Sequence, residues 1–111
     1  MEQRTVIGVD LGGTKVVAGL IVDNHLVKSS YQLISAQSAN PQDVIEEVKA
    51  VIADLFTEDV SFIGVGIPGL IDRAEGVVND VQNIPSWKEV PLKMLLETRF
   101  DVPVFLDNDA N

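Results

Sequence analysis

Thr5-Val6-Ile7-Gly8-Val9-Asp10-Leu11, then Gly12-Gly13-Thr14, then Lys15-Val16-Val17-Ala18-Gly19-Leu20-Ile21-Val22 is the stretch on which the fold turns. Two apolar runs rich in β-branched residues have strand character, and the short glycine-rich connection suits a tight hairpin between them. Leu26 to Ile34 continues the theme after the turn-forming pair Asp23-Asn24, so the domain opens with three consecutive strands. His25, the sole histidine, falls in that second turn and has no chemical task there.

Beyond the meander the period changes. Asn40 caps and Pro41 opens a segment in which Val44, Ile45, Val48, Val51, Ile52, Leu55 and Phe56 share one stripe, the pattern of an amphipathic helix. Ser61 to Ile67 is an apolar run closed by Pro68-Gly69 and reads as a buried strand returning to the sheet. Residues 71–86, with Gly76, Asn79, Asp80, Asn83 and Pro85, read as a long polar loop. A second helix is expected from about Pro91 to Arg99, and a last strand from Val102 to Leu106. Strands, helix and strand in this order make an α/β layer.

The chain has 111 residues, 46% of them hydrophobic and 23% charged, enough for one domain that buries roughly two-thirds of its unfolded surface. Eight basic residues, scattered singly, stand against 17 acidic ones, which argues against nucleic-acid or anionic-membrane binding. A polyanion such as a nucleotide would have to be held by backbone amides, a helix end or a metal ion. With no cysteine there is neither a disulfide framework nor a thiolate metal site. No secretory signal and no apolar run of membrane-spanning length is present, so a cytoplasmic protein is expected.

Three constellations carry chemistry. In Asp10-Leu11-Gly12-Gly13-Thr14-Lys15 a carboxylate ends a buried strand, and two glycines allow close backbone approach. Amides and the Thr14 hydroxyl could hold phosphate oxygens, with Asp10 orienting Mg2+ through water. Taken alone, Gly12-Gly13 reads rather as a hairpin turn that Asp10 caps, and Lys15 equally as a solvent-facing lysine. Asp107-Asn108-Asp109-Ala110-Asn111 sets short polar groups at the C-terminal end of a strand, where ligand crevices of open α/β sheets lie. A carboxylate there could accept a hydroxyl proton, and the same residues could simply cap a helix. Gly64 and Gly66, before Pro68-Gly69, admit a ligand or, as we prefer, a closely packed helix. Asn83 is a plausible hydroxyl partner, and Trp87 an anchor for its loop.

The order and spacing of these elements resemble the N-terminal half of the ROK family of sugar kinases and sugar-responsive repressors, in the actin, Hsp70 and hexokinase superfamily. The resemblance covers the whole chain. Asp10 to Lys15 is similar to the family's phosphate motif, Gly66 to Gly69 to its sugar-side loop, Asn83 with Trp87 to a glucokinase loop pattern, and Asn108-Asp109-Ala110-Asn111 to its most diagnostic stretch. The fold so implied is a ribonuclease H-like, actin-like ATPase lobe: a mixed five-stranded sheet with three antiparallel N-terminal strands and flanking helices, occupying residues 1–111.

The resemblance also implies roles. Asp109 would be the general base; Asn108, Asn83 and the Gly69 backbone would bind the sugar, with Gly12, Gly13, Thr14 and Lys15 at the phosphates and Asp10 facing Mg2+. The implied partners are ATP and a hexose, glucose first, with an N-acetylmannosamine or fructose kinase and a sugar-sensing repressor as alternatives. A repressor would carry a helix-turn-helix segment ahead of the first strand, which here begins within the first few residues. A complete member has a second lobe with the adenosine site and usually a Cys/His-bound zinc, and is expected to form a homo-oligomer. The lobe alone should bind sugar weakly and catalyse almost nothing.

Overall fold

The computed structural model describes residues 4–108. β1 (Thr5–Leu11), β2 (Lys15–Val22) and β3 (His25–Leu33) form the expected antiparallel meander, followed by α1 (Pro41–Leu55) and β4 (Val60–Ile67). β5 (Gly69–Asp72), β6 (Val77–Val81) and β7 (Lys88–Val90) come next, then α2 (Leu92–Phe100) and β8 (Val104–Asn108). The main sheet has the order β3-β2-β1-β4-β8, with β1, β4 and β8 mutually parallel. The mixed five-stranded sheet expected from the sequence is therefore present.

Alternation sends one set of side chains from each of β1, β2, β4 and β8 to a single buried face, while β3 is exposed almost throughout. Ile7, Val9, Leu11, Val16, Ala18, Ile63, Val65, Val104 and Leu106 make that face, and they belong to one core with Val44, Val48 and Ile52 of α1 and Leu92, Leu96 and Phe100 of α2. The Phe56 and Phe100 rings meet at 5.1 Å where the two helices converge. Asn40 caps α1 as expected, its Oδ1 accepting from the Gln42 amide at 3.0 Å. The opposite face is different in kind. Gly64, Gly8 and Gly19 stand in one row across β4, β1 and β2, bordered by Phe105, which is 56% exposed.

Four expectations need correction. Residues 71–86 are no irregular loop: β5 and β6 form a hairpin, and β7 adds a third antiparallel strand. Val78 and Val81 are buried there, so these strands carry core residues between the turn formers. β8 begins and ends two residues later than expected, because Pro103, with no N–H to give, serves only as an acceptor from the Ile63 amide, at 3.0 Å. His25 starts β3, while Asp23 and Asn24 alone make the turn with φ of 50° and 69°. No helix among the described residues packs on Gly64, where an added Cβ would find nothing within 4 Å.

The second sheet is braced against α2. Gly76, at φ 69°, closes the β5–β6 turn with its N–H on the Asp72 carbonyl, and its own carbonyl accepts from the Lys93 amide at 3.1 Å. The Lys93 ammonium donates to Glu97 and to the Val104 carbonyl, at 2.8 and 2.6 Å. Glu97 accepts in turn from the Val104 amide at 2.9 Å. The Lys93 hydrogen bond, and then that of the Val104 amide, hold the Glu97 carboxyl below its ordinary pKa.

Candidate functional site

The parallel ladder places the acidic strand ends. Asp10 pairs with Gly66, and Gly66 with Asp107, so these residues form one row at the C-terminal ends of β1, β4 and β8. Two strand spacings separate the two carboxylate-bearing residues, about 10 Å, and Gly66 puts no side chain between them. The later end of β8 brings Asn108 into the ladder opposite Ile67, one residue beyond Asp107. Asp109, the expected base, lies outside the described residues.

The phosphate-type loop leaves β1 beside Asp10. The Gly12 amide donates to the Lys15 carbonyl at 2.9 Å, and the Thr14 carbonyl accepts from Ile34 at 3.0 Å. Gly13 and Thr14 are exposed and line an open cleft of about 510 Å³ with residues 34–38. That far wall is fixed by Ser35, whose amide and hydroxyl both donate to Glu47 of α1 at 2.7 Å. The Lys15 ammonium lies 5.8 Å from the centre of the Tyr31 ring, over the exposed side of β3.

Asn83 is brought to this loop and not left at a distance. A Cβ at Gly13 would stand 3.0 Å from the Asn83 side-chain nitrogen, so a residue expected on the sugar side rests on the phosphate-side glycine. Ile84 and Trp87, both fully buried, hold Asn83's turn down. The Trp87 indole N–H donates to the Pro41 carbonyl at 3.1 Å, which makes Trp87 the anchor that the sequence suggested.

The sugar-side loop meets β8 at two points. The Asn108 side-chain amide donates to the Gly69 carbonyl, leaving its oxygen, among the described residues, to accept from a hydroxyl. A Cβ on Gly69 would collide with the Asp80 carbonyl oxygen, so no larger residue fits that position. Arg73, at the tip of the β5–β6 hairpin, reaches Asp107 with Nη2 to Oδ1 at 2.5 Å. Asp107 also accepts from the Asn108 backbone amide at 2.7 Å. The amide first, and then the guanidinium, hold the Asp107 carboxyl below its ordinary pKa. Between hairpin and β8 lies a second open cleft of about 600 Å³, lined by Leu70, Ile71, Asp72, Arg73, Asn79 and Asn108.

Arg73 and Asn79 escaped the sequence reading. Their only signal was position, as polar residues in the stretch between Gly69 and Asn83, and a stretch read as loop gives no register from which to aim them.

Among the described residues no three His, Cys, Asp or Glu side chains converge as a metal cage. Mg2+ does not require one, since it keeps several waters and takes one or two carboxylates together with substrate phosphates. Asp10, at a strand end beside an exposed glycine loop, fits that demand. Among the same residues no helix is long and apolar enough to cross a membrane.

The fold and the site invite comparison with known proteins. The chain is 36% identical over its whole length to a glucokinase of Thermotoga maritima, of which it covers 35%. It is 28% identical over 96% of its length to a xylose repressor of Caldicellulosiruptor bescii, covering 28% of that protein. Its structure superposes on that of a ROK family glucokinase from Streptomyces griseus, solved in complex with glucose and AMPPNP, with a TM-score of 0.82 and 29% identity. That match takes in 96% of this chain and 34% of the other, so the chain spans about a third of the length of the kinases it matches. The sheet order, with three antiparallel strands leading into parallel ones, is thus that of the actin-like ATPase fold as ROK kinases build it. The ROK family model matches residues 6–111, and the chain belongs to the ROK family.

Proposed function

We propose that this chain is the N-terminal lobe of an ATP-dependent hexose kinase, with glucose the first substrate to try. The observation that carries the reading is that two open clefts stand at the same end of the sheet, where Asp10, Gly66 and Asp107 form one row. Asp10 and the Gly12-Gly13-Thr14 loop stand on one side, Gly69 and Asn108 on the other, and Asn83 rests on Gly13. The resemblance of Asp10 to Lys15 to the family's phosphate motif, and of Asn83 with Trp87 to a glucokinase loop pattern, supports the same assignment.

In this reading the Gly69 backbone, Asn83 and Asn108 orient the sugar, and Asp109 accepts the proton of the attacking hydroxyl. Exposed amides and the Thr14 hydroxyl receive phosphate oxygens. Asp10 would hold Mg2+ through water, and the ion would supply positive charge opposite the phosphates. Catalysis of phosphoryl transfer is mostly positioning and charge stabilisation, which suits a site built from short polar groups on strand ends. A second lobe would supply the nucleotide clamp. We place the protein in the cytoplasm as a homo-oligomer.

The test is Asp109→Asn in the full-length protein. Turnover should fall by about 10²- to 10⁴-fold with glucose binding largely kept, and an unimpaired variant would overturn the assignment. The likeness to a xylose repressor favours one other reading, a sugar-sensing DNA-binding protein. Sugar-dependent operator binding in a gel-shift assay, without phosphoryl transfer, would establish that reading in place of the kinase.

A further inference from the structure

The β5–β6 hairpin is fixed from one side only by backbone and packing. Its turn is held by Gly76 against α2 through the Lys93 amide. On its other side, facing the 600 Å³ cleft, it meets β8 among the described residues through two side-chain hydrogen bonds, Asn108 to Gly69 and Arg73 to Asp107. Asp107 is shared: the same Oδ1 accepts from Arg73 and from the backbone amide of Asn108. The guanidinium thus acts on the residue next to the one whose amide lines the cleft.

We propose that Arg73 is a positioning residue for sugar binding, which, through Asp107, clamps the end of β8 to the hairpin and sets the geometry of Asn108 across the cleft. This rests on the reading of that cleft as the sugar side of the site. Both partners are well exposed, at 65% and 73% of their side-chain surface, so the pair adds little to folding and is open to screening by salt. A hexose carries no charge and has no reason of its own to bind less well at high salt. Salt-sensitive binding of a neutral sugar is therefore the signature of this clamp.

The experiment is calorimetric titration of the full-length protein with glucose at low and at high ionic strength, alongside turnover with ATP. R73M and D107N should each weaken glucose binding about 2- to 5-fold at low salt, the range expected of an exposed ion pair. The double variant R73M/D107N should be no weaker than either single one, and R73K should recover part of the loss. Raising the salt should weaken binding to the wild type and leave R73M unchanged. Unaltered affinity in R73M, additive losses in the double variant, or equal salt dependence in wild type and R73M would each overturn the clamp. Glucose binding with those signatures but without phosphoryl transfer would overturn the kinase reading and leave the clamp standing. A wild type that binds no glucose would overturn both.

Discussion

β2 is entered through Gly12-Gly13-Thr14 and left through Asp23-Asn24, and the two connections use their residues in opposite ways. The exit turn has the backbone that ordinarily calls for glycine, with φ of 50° and 69°, yet contains none. Asp23 and Asn24 tolerate that conformation, and Asp23 repays part of its cost by accepting the Arg4 amide at 3.0 Å. The entry loop holds two glycines, neither of which has a positive φ. Gly12 makes room for the loop's own Lys15 carbonyl, 3.1 Å from where a Cβ would stand, whereas Gly13 answers to the Asn83 amide, which would stand 3.0 Å from a Cβ placed there. Gly13 is therefore set by a neighbour from outside the turn, while the exit turn is set by its own backbone.

The contrast can be broken most forcefully from a distance. Trp87 holds the turn that lays Asn83 on Gly13, so Trp87→Ala should cost about 3–5 kcal/mol in chemical denaturation, as aromatic deletions in cores do. A cost below about 1 kcal/mol would mean that Asn83 reaches the loop without its anchor. Asp23→Ala comes next. It forces a Cβ with no compensating hydrogen bond into the left-handed region and should cost about 1–2 kcal/mol, with Asp23→Gly losing less. Gly13→Ala should be the mildest in stability, within about 1 kcal/mol of wild type, since no positive φ is imposed and Ala lowers the entropy of the unfolded chain. Its effect should appear instead as a displaced Asn83 side-chain amide resonance. A loss of stability as large as that of Asp23→Ala would show the entry loop to be an ordinary strained turn.

What could be read from the residues follows the same line. β1, β2, β4 and α1 were legible because their burial period is carried by regularly spaced apolar residues, from Ile7 to Leu11, Val16 to Ala18, Ile63 to Ile67 and Val44 to Leu55. The second sheet was not, because β5, β6 and β7 are 4, 5 and 3 residues long and interleave Val78 and Val81 with Asn79 and Asp80. Period-two patterns need more length than that to show. The site was legible in its local motifs, Asp10 to Thr14 and Asp107-Asn108, but not in the contacts that join them. The pairing of Asp107 with Arg73 spans 34 residues and depends on where a short hairpin ends. Asn83 on Gly13 depends likewise on the burial of Ile84 and Trp87.

Lys93 ties these regions together in a way that bears on how the molecule breathes. Its amide holds the Gly76 carbonyl of the hairpin, and its ammonium holds Glu97 of its own helix and the Val104 carbonyl of β8. Hydrogen exchange proceeds through cooperative openings, and three elements joined at one residue have no cheap way to open singly. The amide of Val104, bound to the Glu97 carboxylate and not to a neighbouring strand, should therefore exchange in step with the amides of the β5–β6 turn. The walls of the 600 Å³ cleft would then loosen together, as a single door and not as two independent leaves.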